Sequence, residues 1–73
     1  MPETKKWMSE VPEVCELCHN AWTGNVFFDA CVRVAGRTIW GLVCAACHVR
    51  YGFGLGTGKG QKYDLTTKEK LAG

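Results

Sequence analysis

Cys15-Glu16-Leu17-Cys18 and Cys44-Ala45-Ala46-Cys47 decide the fold of this 73-residue chain. Both pairs have the C-x-x-C spacing, and 25 residues lie between them. A C-x-x-C turn can direct both of its sulfurs at one metal ion, and two such turns complete a tetrahedral set of thiolates. A chain this short buries a marginal core, which a bound metal stabilises. The sequence therefore predicts one structural Zn²⁺ bound by these four cysteines.

Each pair is followed by a histidine, His19 or His48, which gives the attachment sequence of c-type haem twice. Attachment of such haem requires export, and the first residues contain no apolar signal segment. We therefore expect a cytoplasmic zinc protein without a membrane segment, and keep haem or iron electron transfer as a further alternative. His19 and His48 are candidates for alternate metal ligands or for contacting the thiolates, but we favour the interpretation that they cap or solvate the turns.

The segment between the cysteine pairs predicts a β-hairpin. Residues 26–34 alternate between two sets of side chains, as a strand does. Residues 35–37 contain Gly36, which suits a tight turn, and residues 38–43 are β-branched and aromatic enough for a returning strand. Residues 44–51 predict a short helix that ends at Gly52.

The rest of the chain is harder to assign. Glycine occupies every second position of residues 52–60, which predicts an extended segment with one bare backbone face. We expect residues 1–12 to form an N-terminal arm, ordered only if Trp7 or Met8 docks, and residues 13–63 to form a single four-cysteine zinc domain. We expect residues 64–73 to form a C-terminal tail, which is either frayed or folded into a short helix.

Charge is distributed unevenly along the sequence. The formal net charge of +2 becomes near neutral once four thiolates and a dication are counted. Between residues 30 and 63, however, there are basic residues and no acidic ones, which predicts one basic face. The candidates for binding nucleic acid or another partner are Arg33, Arg37, Arg50, Lys59 and Lys62.

A cysteine pair, a hairpin and a second pair that opens a helix resemble the zinc-ribbon and treble-clef group of small zinc domains. The run from Trp40 through Cys44-Ala45-Ala46-Cys47-His48 to Tyr63 also resembles short zinc-finger-like proteins of bacteriophages and prophages. The first resemblance implies a small zinc-stabilised α+β fold, and the second implies a bacterial host cytoplasm. Neither resemblance implies an activity.

Two functional hypotheses follow. The first is a non-enzymatic accessory module that binds nucleic acid or the transcription or replication machinery through a basic, glycine-rich face. The second is a protein-interaction module, either an inhibitor of a host protein or a homodimer, whose alternating glycines accept a partner strand. No paired carboxylates and no Ser/His/Asp set are present to support catalysis.

Overall fold

Four antiparallel strands and one short helix make up the fold in the computed structural model, which describes residues 7–73. The elements are β1 (Val26–Val34), β2 (Arg37–Val43), α1 (Ala45–Tyr51), β3 (Gly60–Asp64) and β4 (Lys70–Ala72). The strands lie in the order β2-β1-β3-β4, so that β1 is central and β2 is an edge strand. This arrangement is compatible with the zinc-ribbon-like α+β fold that the sequence predicts.

The β1–β2 hairpin matches the predicted strand and turn. Val34 pairs with Arg37, which leaves Ala35 and Gly36 as a two-residue loop. Their φ angles of 51° and 77° are both positive, as a type I′ turn requires. Glycine adopts this conformation without a steric penalty, whereas Ala35 adopts it against the preference of its Cβ.

The alternation of β1 separates two apolar clusters. Phe28, Ala30 and Val32 face the cysteines and α1, and we call this side of the sheet the metal face. Phe27 points to the other side, where it packs with Leu42 and Tyr63. We call this second side the tryptophan face, because Trp7 covers one end of it. The predicted two-sided strand is confirmed, and both of its sides carry part of the core.

The glycine-rich segment is a loop, and the prediction of an extended segment is wrong. Short contacts tie it to the sheet: Gly52 bridges Val32, Gly56 bridges Gly60, and the Cys31 amide donates to the Lys59 carbonyl at 3.0 Å. The φ angles of Gly54, Gly56 and Gly58 are 93°, 128° and 79°, a region that interrupts a strand. The alternating glycines therefore allow repeated changes of backbone direction, which the sequence pattern did not distinguish from extension.

The C-terminal residues form a strand, so the alternative of a helix over residues 64–73 is wrong. Asp64 caps the turn after β3 through its Oδ1, which accepts the amides of Thr66 and Thr67 at 2.8 Å each. Lys70–Ala72 then pairs with β3. The two threonines therefore build a turn rather than beginning a helix.

The described part of the N-terminal arm docks on the sheet through Trp7. Its amide donates to the carbonyl of Lys68 at 2.8 Å, and its ring packs edge-on against Phe27 and Tyr63. Met8 remains 91% exposed. Residues 1–6 of the expected arm lie outside the described residues. Within residues 7–73, the helix α1 is not long and apolar enough to cross a membrane.

Candidate metal centre

The four cysteines come from two separate parts of the fold. Cys15 and Cys18 lie in a turn before β1, closed by hydrogen bonds from the Cys15 amide to the Asn20 carbonyl and from the His19 amide to the Cys15 carbonyl, each 2.9 Å. Cys44 follows β2 directly and is the N-cap residue of α1, whose first turns contain Cys47. The hairpin thus returns the chain to the first pair and brings the two pairs together.

The spacing of the sulfurs fits a tetrahedral ion. All four Sγ atoms lie within 4.8 Å of one another. The Cys15–Cys47 and Cys18–Cys44 sulfurs are 3.8 Å and 3.7 Å apart. A regular tetrahedron with metal–sulfur bonds of about 2.3 Å has edges of about 3.8 Å. The four cysteines therefore form a group that can hold one metal ion without rearrangement of these pairs.

Backbone amides surround Cys15 in a way that favours its thiolate. Its Sγ accepts contacts from the amides of Leu17, Cys18 and Cys44 at 3.4, 3.5 and 3.3 Å. Burial raises the pKa of the Cys15 thiol, but these amides outweigh burial and bring the pKa down to about 7. Burial also raises the pKa of Cys44 and, strongly, that of Cys47. A cation that binds all four sulfurs consequently displaces protons as it binds.

Glu16 fastens the first cysteine turn to the edge of β2, a role that the sequence analysis missed. The Glu16 amide donates to the Leu42 carbonyl at 3.0 Å, and the Leu42 amide donates to Glu16 Oε1 at 2.6 Å. Together these bonds occupy both backbone groups of Leu42 that point away from β1. The variable residue inside a C-x-x-C pair gives no sequence signal for such a long-range contact.

The two histidines lie in different surroundings, and neither belongs to the cluster of four sulfurs. His19 is exposed and has a φ of 62°, a turn position that histidine tolerates better than most residues. His48 is buried, stacks on Phe28 at 4.4 Å, and its Nε2 lies 2.9 Å from the Gly54 carbonyl. His48 thereby joins α1 to both the sheet and the glycine-rich loop.

Close packing around His48 also explains Gly52. A Cβ at position 52 would lie 2.6 Å from the His48 carbonyl oxygen and 2.8 Å from His48 Cδ2. Both distances are shorter than real Cβ contacts, so only glycine fits here without displacing the helix end. The predicted helix stop at Gly52 is confirmed, since α1 ends at Tyr51, and crowding against His48 explains why the residue there is glycine.

The five basic candidates do not share one sheet face, in contrast to the charge pattern in the sequence. Arg33 pairs with Thr38 on the tryptophan face, whereas Lys62 pairs with Phe28 and Arg37 with Val34 on the metal face. Arg50 borders a groove beside the candidate metal centre, and Lys59 lies in the turn before β3. A stretch without acidic residues forms one charged face only if its side chains point to the same side. In the strands β1 and β3, successive side chains point to opposite sides of the sheet.

The fold and site together define a small antiparallel α+β domain with a four-cysteine group at metal-binding distances. No protein-family model, curated protein or solved structure matches the chain. The resemblance to bacteriophage and prophage proteins therefore stays a prediction.

Proposed function

We propose that this protein is a non-enzymatic, zinc-stabilised interaction module. The observation that carries the proposal is the group of four thiols within 4.8 Å of one another, two of whose sulfur–sulfur distances match the edge of a zinc–sulfur tetrahedron. Four protein ligands fill the coordination sphere of zinc and leave no position for water or substrate, which supports a structural ion. The convergence of both C-x-x-C pairs on one point also favours one ion over two attached haems.

Metal analysis tests the zinc assignment. We expect one zinc per chain and a colourless solution when the protein is purified without added metal, because a d¹⁰ ion in a thiolate site has no visible absorption. Elemental mass spectrometry and a visible spectrum of the same sample measure both properties. Iron at one per chain, or a haem absorption band, would contradict the proposal and indicate an electron-transfer protein.

The exposed surface supports a protein partner over nucleic acid. Ile39 and Trp40, on edge strand β2, are 48% and 53% exposed. Large apolar side chains beside a free strand edge are typical of surfaces that accept another strand. Of the basic candidates, Arg33 lies on the tryptophan face, whereas Arg37 and Lys62 lie on the metal face, so these three residues do not line one phosphate track.

A single-stranded nucleic acid is the second candidate partner, and one local arrangement favours it. Arg33 and Trp40 lie on the tryptophan face in neighbouring cross-strand pairs, Arg33 with Thr38 and Cys31 with Trp40. An arginine beside an exposed indole can bind a phosphate while a base stacks on the ring.

Titration of a labelled single-stranded oligonucleotide by fluorescence anisotropy tests this second candidate. If the surface binds nucleic acid, W40A should weaken binding by about 1–3 kcal/mol through lost stacking. R33E should weaken it as well and lower the salt slope by about 1. R50E is the matched charge control, because Arg50 lies on α1 beside the metal centre. No binding at low salt, or equal losses in R33E and R50E, would exclude this surface.

A further inference from the structure

The outer edge of β2 has two residues whose backbone groups face outward without a partner among residues 7–73. Leu42 points its amide and carbonyl away from β1, toward Glu16. Backbone direction alternates along an antiparallel strand, so Thr38 and Trp40 point their amides and carbonyls the same way. In the described part of the chain β2 pairs only with β1, which leaves the groups of Thr38 and Trp40 available.

We propose that this edge binds β2 of a second copy of the chain, in an antiparallel pair centred on Ile39. The protein would then be a homodimer whose two sheets join edge to edge. The inference rests on the proposed function, because it specifies the partner of the interaction module. It uses β2 rather than the glycine-rich loop, whose backbone turns repeatedly and offers no regular edge.

Glu16 limits the register of such a dimer. A two-fold axis at Ile39 pairs Thr38 with the partner's Trp40, so each outward-facing residue of one copy meets one of the other. An axis at Trp40 would instead pair Thr38 with the partner's Leu42, whose amide and carbonyl already bond to Glu16. An axis at Thr38 would place Trp40 opposite the hairpin turn. The Ile39 register is thus the one that uses both free residues.

The same register makes the charges complementary. Arg37 of one copy lies opposite the partner's Gly41, two positions from the axis. A Cβ at Gly41 would lie 3.5 Å from Glu16 Oε1, so the partner's Glu16 carboxylate is next to that position. Gly41 has no side chain to separate the two groups. By symmetry each dimer contains this arginine–glutamate pair twice, once on each side of the axis.

Apolar burial favours the same pairing. Ile39 is 48% exposed in the single chain and would face the partner's Ile39 across the axis. Beside it lies a shallow groove of about 170 Å³ on the metal face, bordered by Leu17, Val32 and Val43. Trp40, 53% exposed, would cover the partner's Thr38 on the tryptophan face. The dimer therefore removes from water the two large apolar side chains that β2 exposes.

Sedimentation velocity over a range of protein concentrations up to about 0.5 mM tests the dimer by mass action. We expect a reversible dimer for the zinc-loaded wild type. R37E should raise the dimer dissociation constant by about tenfold or more, since it opposes two pairs of like charges. R50E is the matched control and should change the constant by less than about twofold, because Arg50 lies on α1 and not on strand β2.

Cross-linking tests the register independently of charge. Ile39 and the partner's Ile39 would form a non-hydrogen-bonded pair with Cα atoms about 4.5 Å apart, a separation that a disulfide spans. Mild oxidation of I39C should therefore yield a covalent dimer, visible on a non-reducing gel. V49C is the control: Val49 on α1 is 84% exposed and lies away from the β2 edge.

The outcomes separate the dimer from the proposed function on which it rests. A wild type that contains one zinc per chain but stays monomeric overturns the dimer and leaves the zinc module intact. A dimer that R37E leaves unchanged and that V49C cross-links as readily as I39C overturns this interface. Chains that contain no zinc at all overturn the proposed function first.

Discussion

Replacement of Cys15 by serine is expected to abolish metal binding and the folded state together. Cys15 is fully buried, receives three amide contacts and belongs to the group of four sulfurs, so its loss leaves three thiols in that group. Structural zinc contributes about 10–16 kcal/mol in zinc-finger peptides. A core of this size supplies roughly 3–5 kcal/mol, which is too little to compensate. Elemental analysis and the dispersion of amide NMR signals measure the loss.

C31S is the matched control for C15S. Cys31 is also buried, but it lies on β1 opposite Trp40, outside the group of four sulfurs. Burying a hydroxyl there should cost about 1–3 kcal/mol and leave one zinc per chain. If C15S kept its zinc and its folded NMR spectrum, the four-cysteine centre would be excluded as the resident site. Removal of zinc by a chelator should unfold the wild type in the same way.

The parts of the fold that the sequence predicted depend on local patterns. The strand Val26–Val34 was readable because alternation has a period of two, and the turn because Gly36 suits positive φ. The C-x-x-C spacing indicates each pair of the four-cysteine group for a similar reason, since two residues between cysteines already allow both sulfurs to face one ion. In each case the information lies within about ten residues, which a single sequence contains.

The parts that the sequence did not predict depend on distant contacts. Glu16 bonds to Leu42, 26 residues away, and Thr66 donates to Asn25, 41 residues away. No periodicity encodes either bond. Strand β4 has only three residues, so its pattern is too short to distinguish from a tail. Alternating glycines do not distinguish a strand from a loop, because glycine permits both extended and positive-φ backbone, and its neighbours decide between them.

The difference between local patterns and distant contacts also decides how much of the function can be predicted from the sequence. The candidate centre needs only four cysteines and the hairpin that joins them, so the sequence alone is enough to predict the group. To predict a binding surface, one must know which side of the sheet each residue occupies. Arg33 and Lys62 look equivalent in the sequence but face opposite sides, and Ile39 and Trp40 look like core residues until β2 is known to be an edge.

Truncation of Trp7 to alanine is expected to produce the second largest loss, about 3 kcal/mol in the free energy of unfolding. Its indole contacts the rings of Phe27 and Tyr63 at centroid distances of 5.8 and 5.6 Å, and those two rings stack at 5.3 Å. Removing the indole opens this cluster to water. At about 4–8 °C per kcal/mol, the melting temperature should fall by about 12 °C or more, measured by circular dichroism on zinc-loaded protein.

W7F separates the packing of the ring from its polar group. The Nε1 atom of Trp7 is buried and has no hydrogen-bond partner among the described residues, so the indole N–H contributes a penalty rather than a bond. Phenylalanine keeps an aromatic ring without that donor, and W7F should therefore lose less than half of what W7A loses. Both variants should retain one zinc per chain, because the tryptophan face and the metal face lie on opposite sides of β1. A melting temperature of W7A equal to that of the wild type would mean that the arm does not dock in solution.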